Sequence, residues 1–206
     1  MLYMRLGLLA MLVSCLCATA QIIDFESSGL HYKTLTKGGV TVMFAGLPKH
    51  VHDYSILQVA ISNGSPVAWV VKPEDFSYQM QDGAVLPAVP ALSVVTTLLG
   101  KASRHDVIKL VTTYESGVYG NIQMHTTNGY ETRRQNALAE TTVKIKAAAA
   151  ASAIVLVQTR LQPGESTDGA VFFAGTGKPL GPGTLLVHVG GEVYQFPSDG
   201  EPTAIK

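Results

Sequence analysis

Two adjacent glycines set between two alternating runs narrow what this chain can fold into. Leu185-Leu186-Val187-His188-Val189 and Glu192-Val193-Tyr194-Gln195-Phe196 flank Gly190-Gly191. Residues two apart on a strand share a face, so each run offers one apolar side. Glycine takes positive φ at no steric cost, and a two-residue hairpin loop asks for it at both positions. A β-hairpin is expected here. Earlier runs also look β, with breaks between them. His31 to Lys37 leads into Gly38-Gly39, and Val40 to Phe44 follows. Ser55 to Ile61 puts Leu57, Val59 and Ile61 on one face before the turn cluster Asn63-Gly64-Ser65-Pro66. Val67 to Val71 is broken by Pro73, and Phe76, Tyr78 and Met80 then share a face ahead of Asp82-Gly83. After a gap come Ile154-Val155-Leu156-Val157, Pro163-Gly164 at the centre of an expected type II turn, and Gly169 to Phe173. About eight short strands with regularly spaced turns predict a mainly β chain, an antiparallel β-sandwich.

The stretch between the two β halves has a different character. Ser103 with Asp106 makes a capping pattern for a helix over about 104–116, striped by Val107, Leu110, Val111 and Tyr114 and stopped by Gly117 and Gly120. Asn128 with Glu131 repeats it, and the run to Ala151 ends in consecutive alanines, with Glu140 preceding Lys144 at the helical spacing. The expectation is an α-helical insertion at about 98–152 within one sandwich domain covering 21–206.

Residues 1–20 read as an address. Arg5 precedes an apolar run from Leu6 to Leu16, too short to span a bilayer as a helix. With Ala18-Thr19-Ala20 as a small-residue exit, this is the pattern of a secretory signal peptide, cut between Ala20 and Gln21. Leu12-Val13-Ser14-Cys15 offers the alternative of lipidation at Cys15, although Leu16-Cys17-Ala18 supplies no polar spacer. Cys15 and Cys17 are the only cysteines, so a cut after Ala20 leaves no disulfide and no thiol. The location expected is periplasmic or extracellular, and envelope-anchored only if Cys15 is acylated. Fifteen basic residues balance fifteen acidic ones. That leaves no electrostatic footprint for nucleic acid.

Candidate chemistry is sparse. His50-Val51-His52-Asp53 is the best metal candidate, because two imidazoles two apart on a strand share a face. No third ligand is fixed by spacing, and His31, His105, His125 and His188 are scattered. His105-Asp106 reads as a helix start, with the acid as a cap. Gly164 to Gly169 lacks the G-x-S-x-G spacing of a nucleophile elbow. No phosphate loop and no H-E-x-x-H occurs. Arg133, Arg134, Lys144 and Lys146, offset by Glu131 and Glu140, read as a solvated face, with a weak contact to an anionic envelope surface as the alternative. Trp69, Tyr78, Phe172 and Tyr194 are expected in the core rather than as a carbohydrate platform. Asn63-Gly64-Ser65 matches a glycosylation sequon but is followed by Pro66 under a bacterial type of signal.

Leu57-Gln58-Val59-Ala60-Ile61-Ser62-Asn63 followed by Lys72-Pro73-Glu74-Asp75-Phe76 resembles one signature of bacterial secreted immunoglobulin-like domains. Leu161-Gln162-Pro163-Gly164-Glu165-Ser166 followed by Gly169-Ala170-Val171-Phe172-Phe173 resembles the other, found in domains similar to the mycobacterial secreted immunoglobulin-like antigen. The match covers roughly 40–85 and 154–196, and the helical stretch departs from the pattern. The resemblance implies an immunoglobulin-like sandwich without catalytic residues or cofactor. The residues add their own reading: Phe172 and Phe173 must face opposite ways, one into the inter-sheet core and the other toward helices or an edge, while Glu165 and Ser166 need no ligand to explain them. The functional expectation is an exported non-catalytic binding or structural module with an unidentified protein or envelope partner. The alternatives are a lipid-anchored envelope lipoprotein of the same fold, and a metal-binding or hydrolytic protein using His50, His52 and Asp53.

Overall fold

The computed structural model describes residues 21–47, 53–101, 153–175 and 180–198, together with Val111, Glu115, Gly129, Thr132 and Gln135. The strands are β1 (Ile23–Ser27), β2 (Leu30–Lys37), β3 (Val40–Gly46), β4 (Tyr54–Asn63), β5 (Trp69–Val71), β6 (Phe76–Met80), β7 (Val85–Pro87), β8 (Thr159–Leu161), β9 (Ser166–Ala174), β10 (Gly183–Val189) and β11 (Glu192–Ser198). One helix, α1 (Ala91–Lys101), follows β7. A five-stranded sheet has the order β1-β2-β3-β4-β9, a four-stranded sheet β11-β10-β6-β7, and β5 pairs with β8 as a ribbon. Every named strand pair is antiparallel. The chain is mainly β and its sheet arrangement is consistent with a β-sandwich.

Glycine pairs build the hairpins. Gly190 and Gly191 have φ +65° and +75° between Val189 and Glu192, which face each other across β10 and β11. Gly38 and Gly39, at +54° and +79°, do the same between β2 and β3. Positive φ at both loop positions matches the loop's twist to that of the strands. Gly164, at +84°, sits where a type II turn requires it, and the Glu165 N–H closes that turn on the Gln162 carbonyl at 3.0 Å.

The five-stranded sheet is buried on both faces. Toward the second sheet it presents Val42, Phe44, Val59, Ile61, Val171 and Phe173, which pack with Phe76, Tyr78, Leu185, Val187, Tyr194 and Phe196. Phe44 meets Phe196 edge-on at 5.0 Å, and Tyr78 meets Phe173 at 6.3 Å. On the opposite face Tyr32, Met43, Ile56 and Phe172 pack beneath Val94 and Leu98 of α1 and beneath Ala153 and Ile154. Phe172 and Phe173 thus divide as expected, Phe173 between the sheets and Phe172 under the helix.

Three features depart from the sequence reading. Helix α1 was not expected; it begins at Ala91, ahead of the insertion expected at about 98–152, and there the Pro90 carbonyl accepts the Val94 N–H at 3.1 Å. The predicted strand Ile154–Val157 is absent. Ile154 is helical, Val155 makes a single parallel bridge to Ala170, and the Leu156 N–H donates to the Ala170 carbonyl at 3.0 Å. Here the chain crosses β9 rather than running as a strand. A third element, β1, was not expected at all. It turns into β2 through Ser28 and Gly29, both at positive φ. The helices predicted over 104–116 and 128–151 lie outside the described residues, apart from Val111, Glu115, Thr132 and Gln135, which are helical, and Gly129, which is not and has φ +74°. Among the described residues no helix is long and apolar enough to cross a membrane.

Gly169 permits the crossing, since a Cβ there would run into the Leu156 backbone. Gly169→Ala should therefore cost about 1–3 kcal/mol through overpacking. Thermal and denaturant unfolding would check it. A midpoint matching that of the parent protein would mean that Leu156 can move aside.

Candidate functional site

A buried polar constellation lies at the last residue of β4, where three turns meet. Asn63 is completely buried. Its backbone N–H donates to the Glu165 carbonyl at 2.9 Å, and its own carbonyl accepts the Gly164 N–H at 2.6 Å. The type II turn at Pro163-Gly164 is thereby clamped to β4. The next residue, Gly64, donates its N–H to the Gly39 carbonyl at 2.8 Å, which ties in the β2–β3 turn. Gly39 lies so close to Ser65 that an added Cβ would meet its Cα at 3.0 Å.

The Asn63 side chain completes the junction. Nδ2 donates to the carbonyls of Val67 at 2.7 Å and Leu161 at 3.1 Å. Oδ1 accepts the Ser65 N–H at 3.0 Å and the Ser65 hydroxyl at 2.6 Å. Both amide protons and the acceptor oxygen are used, which is the full capacity of a carboxamide. Ser65 Oγ in turn accepts the Trp69 indole N–H at 2.9 Å. The indole ring lies beside the Gly190-Gly191 turn. Trp69 is half-buried rather than a core residue, whereas Tyr78, Phe172 and Tyr194 are buried as expected. Beside Trp69, Val67 and Val70 are exposed, with Arg160 across the ribbon from Val70. The glycosylation sequon reading fails on this geometry, because the Asn63 nitrogen that would carry a sugar is enclosed and doubly bonded.

Two buried tyrosines add polar ties. The Tyr194 hydroxyl lies 2.9 Å from the carbonyls of both Lys37 and Val40, linking β11 to the β2–β3 hairpin. The Tyr32 hydroxyl donates to Gln58 Oε1 at 3.0 Å beneath the helical layer. Burial raises both phenols to about 12. On the short turn before β6, Asp75 accepts the Lys72 N–H at 2.9 Å. Its carboxyl is raised by burial, against the lowering effect of that hydrogen bond and of the Lys72 charge.

Only some of the residues singled out from sequence are among those described. His50 and His52 lie outside the described residues. Asp53 is exposed at the entry to β4, where its backbone carbonyl accepts the Gly175 N–H at 2.8 Å. Cys15 and Ala20 lie outside the described residues, as do His105, Asp106 and the basic residues Arg133, Arg134, Lys144 and Lys146. Gln21 is exposed just ahead of β1. His31 and His188 are exposed on separate sheets. Among the described residues no three His, Cys, Asp or Glu side chains gather closely enough to hold a metal ion. Glu165 serves the turn, its carboxylate accepting the Gln162 N–H at 2.8 Å. Sequence reasoning read Asn63 and Ser65 only as turn formers. The available signal was Asn at the end of a buried strand, where a side chain with two donors can replace the missing ladder. Compared with protein-family models, curated proteins and solved structures, the chain matches none.

Asn63→Ala should cost about 2–4 kcal/mol, because it takes the side-chain donor from the buried Leu161 carbonyl and leaves the Val67 carbonyl only the Ser65 hydroxyl at 3.1 Å. Ser65→Ala should cost about 1–2 kcal/mol, and the double variant less than the sum, since the two residues share one network. Denaturant unfolding of the three variants reads this, and strict additivity would refute a shared network. A second expectation concerns alkali. A phenol raised from 10 to about 12 in the folded state stabilises the fold fully below pH 10. The folded state binds the proton more tightly, so that stability is lost as pH rises from about 10 to about 12. The melting temperature should fall across that window, and less steeply in Tyr194→Phe. Equal slopes in the variant and the parent protein would contradict the assignment.

Proposed function

We propose that this chain is an exported, non-catalytic binding or structural module of the bacterial cell envelope, an immunoglobulin-like sandwich with a helical insertion at about 98–152. The observation that carries this reading is the meeting of the two segments that resemble bacterial secreted immunoglobulin-like domains. The first ends its strand at Asn63, and the second contains Leu161 and the Pro163-Gly164 turn. Asn63 bonds Leu161 across 98 positions of sequence, and its backbone holds both Gly164 and Glu165. Two separate sequence matches that share one hydrogen-bonded junction support a single domain type better than two chance similarities. The third matched piece, Lys72-Pro73-Glu74-Asp75-Phe76, forms a one-turn 3-10 helix that delivers fully buried Phe76 to the inter-sheet core. The exposed rim of Val67, Val70 and Trp69 beside the junction is the surface this reading offers for contact. Function argued from such a likeness is an analogy at the level of the fold.

Export rests on Met1 to Gln21, with Arg5, the short apolar run and the Ala18-Thr19-Ala20 exit. A second reading rests on Leu12-Val13-Ser14-Cys15 and makes the same domain an envelope lipoprotein. A third places a metal or hydrolytic centre at His50, His52 and Asp53.

Expression of the whole chain in a bacterial host, fractionation and intact mass measurement separate these readings. The expected product begins at Gln21 and is found outside the cytoplasm. A product beginning at an acylated Cys15 would establish the lipoprotein reading instead, and an unprocessed cytoplasmic chain would overturn export. Metal analysis of the same product, with His50→Ala and His52→Ala beside it, addresses catalysis. One equivalent of metal lost in both variants would overturn the non-catalytic reading.

A further inference from the structure

We propose that Asn63-Gly64 is a deamidation site that the fold holds shut, so that a chemical clock runs in this chain only when β4 leaves its sheet. In an Asn-Gly pair the glycine peptide nitrogen can attack the side-chain carbonyl carbon. A bond forms between Gly64 N and Asn63 Cγ, the Cγ–Nδ2 bond breaks, and ammonia departs carrying the proton lost by the glycine nitrogen. The product is a five-membered succinimide. Water then opens it at either carbonyl, giving aspartate or isoaspartate at position 63, with no change of oxidation state. Glycine favours the attack because no Cβ crowds the nucleophile.

Every atom that this reaction needs is engaged in the fold. The attacking nitrogen is committed, through its proton, to the Gly39 carbonyl at 2.8 Å. The departing nitrogen donates both its protons, to Val67 and Leu161. Swinging Cγ over the Gly64 nitrogen would break these bonds and the two from Ser65 to Oδ1. Asn63 is completely buried, so its side-chain carbonyl carbon is shielded from the water that would open the ring, although Gly64 itself is exposed. One feature acts the other way: the two Ser65 donors at Oδ1 would stabilise negative charge on that oxygen during attack. They cannot offset the rest, because a neutral carbonyl is too weak a base to take the Gly64 proton.

The modification is also one-way. An aspartate at 63 would set a carboxylate oxygen where Nδ2 now donates to two carbonyls, which buries a charge facing two acceptors. Isoaspartate would in addition insert a methylene into the backbone at the end of β4. A converted chain therefore does not return to this fold.

The test uses the parent protein, because Asn63→Asp is itself expected not to fold. Samples are held at mildly alkaline pH in buffer and in guanidinium chloride, then digested and mapped by mass spectrometry. Asn128-Gly129 supplies a second Asn-Gly in the same chain as the reference in denaturant. Both sites should convert at similar rates in guanidinium. In buffer Asn63 should convert roughly a hundredfold or more slowly, since reaction waits on opening of a buried region. After partial conversion and removal of denaturant, chains altered at 63 should be depleted several-fold from the folded fraction. Gly64→Ala, compared only in guanidinium, should slow conversion, which marks the succinimide route. Conversion in buffer within a few-fold of the denatured rate, recovery of altered chains in the folded fraction at their input ratio, or indifference to Gly64→Ala would each overturn the proposal.

Discussion

The carbonyl groups of Val67 and Leu161 set the problem that Asn63 solves. Val67 lies in the bend after β4, and Leu161 ends β8, and the carbonyls of both are reached by side-chain donors. Leaving such groups bare costs about 1–3 kcal/mol each. Among uncharged side chains, a carboxamide supplies two donors and an acceptor from one position. Placed at the end of β4, it feeds both carbonyls and still receives Ser65. Its backbone closes the Pro163-Gly164 turn at the same time. The inter-sheet core can then run to this junction without admitting water. Trp69 and Tyr194 extend the seal by tying the ribbon and β11 to the same group of turns.

The two sheets meet different demands, and their burial shows it. The outer face of the four-stranded sheet is open, with Gln79, His188 and Gln195 exposed, so β10 and β11 alternate as half-buried strands should. The five-stranded sheet carries a second layer that includes α1, so β4 and β9 are buried almost continuously. Polar groups caught under that layer must find partners there. Tyr32 and Gln58 do so with each other, while among the described residues Gln58 Nε2 has no partner, a local cost of covering this face. Burial on both sides makes β4 the strand whose departure would disrupt most, because each of its faces belongs to a different core.

What could be read from sequence follows the same physics. The hairpin at Gly190-Gly191 was legible because positive φ at two successive positions leaves few residue choices, whereas Gly38-Gly39 read only as a break. The opposite fates of Phe172 and Phe173 followed from strand geometry alone. The edge strand β1 was hidden because Asp24 and Glu26 interrupt its apolar residues and its turn uses Ser28 rather than a glycine pair. The segment of α1, with Val94, Val95, Thr96 and Thr97, has the β-branched residues of a strand. Val94 and Leu98, one helical turn apart, nevertheless bury together, so tertiary packing overrides local preference. Ile154 to Val157 is a short apolar run, and periodicity cannot assign such a run to strand or helix. The role of Asn63 was not legible, since it depends on carbonyls of Val67 and Leu161 that only the folded chain brings near. The His50 and His52 pair lies outside the described residues, and Asp53 is an exposed turn residue at the entry to β4.

A sheet protein must also deal with its edges, where unpaired peptide groups invite another strand. Here three of the edges are treated in different ways. In a hairpin closed at Val189 and Glu192, the peptide groups of Val193, Gln195 and Pro197 point away from β10. Lys37 and Lys33, reaching across from β2, donate to the carbonyls of Val193 and Pro197, each at 2.7 Å. Pro197 has no N–H to offer. Leu35, between these lysines, is buried in the inter-sheet core, so the lysines sit on the inward face of β2 and use their length to escape at the margin. The edge at β9 is crossed by Ala88 on one part and Val155 on another. That leaves β1, where Asp24 and Glu26 place exposed charge along the strand. The same acids that hid β1 from a hydrophobic pattern therefore discourage it from adding a foreign strand, so its poor strand signature and its position at the edge have one physical cause.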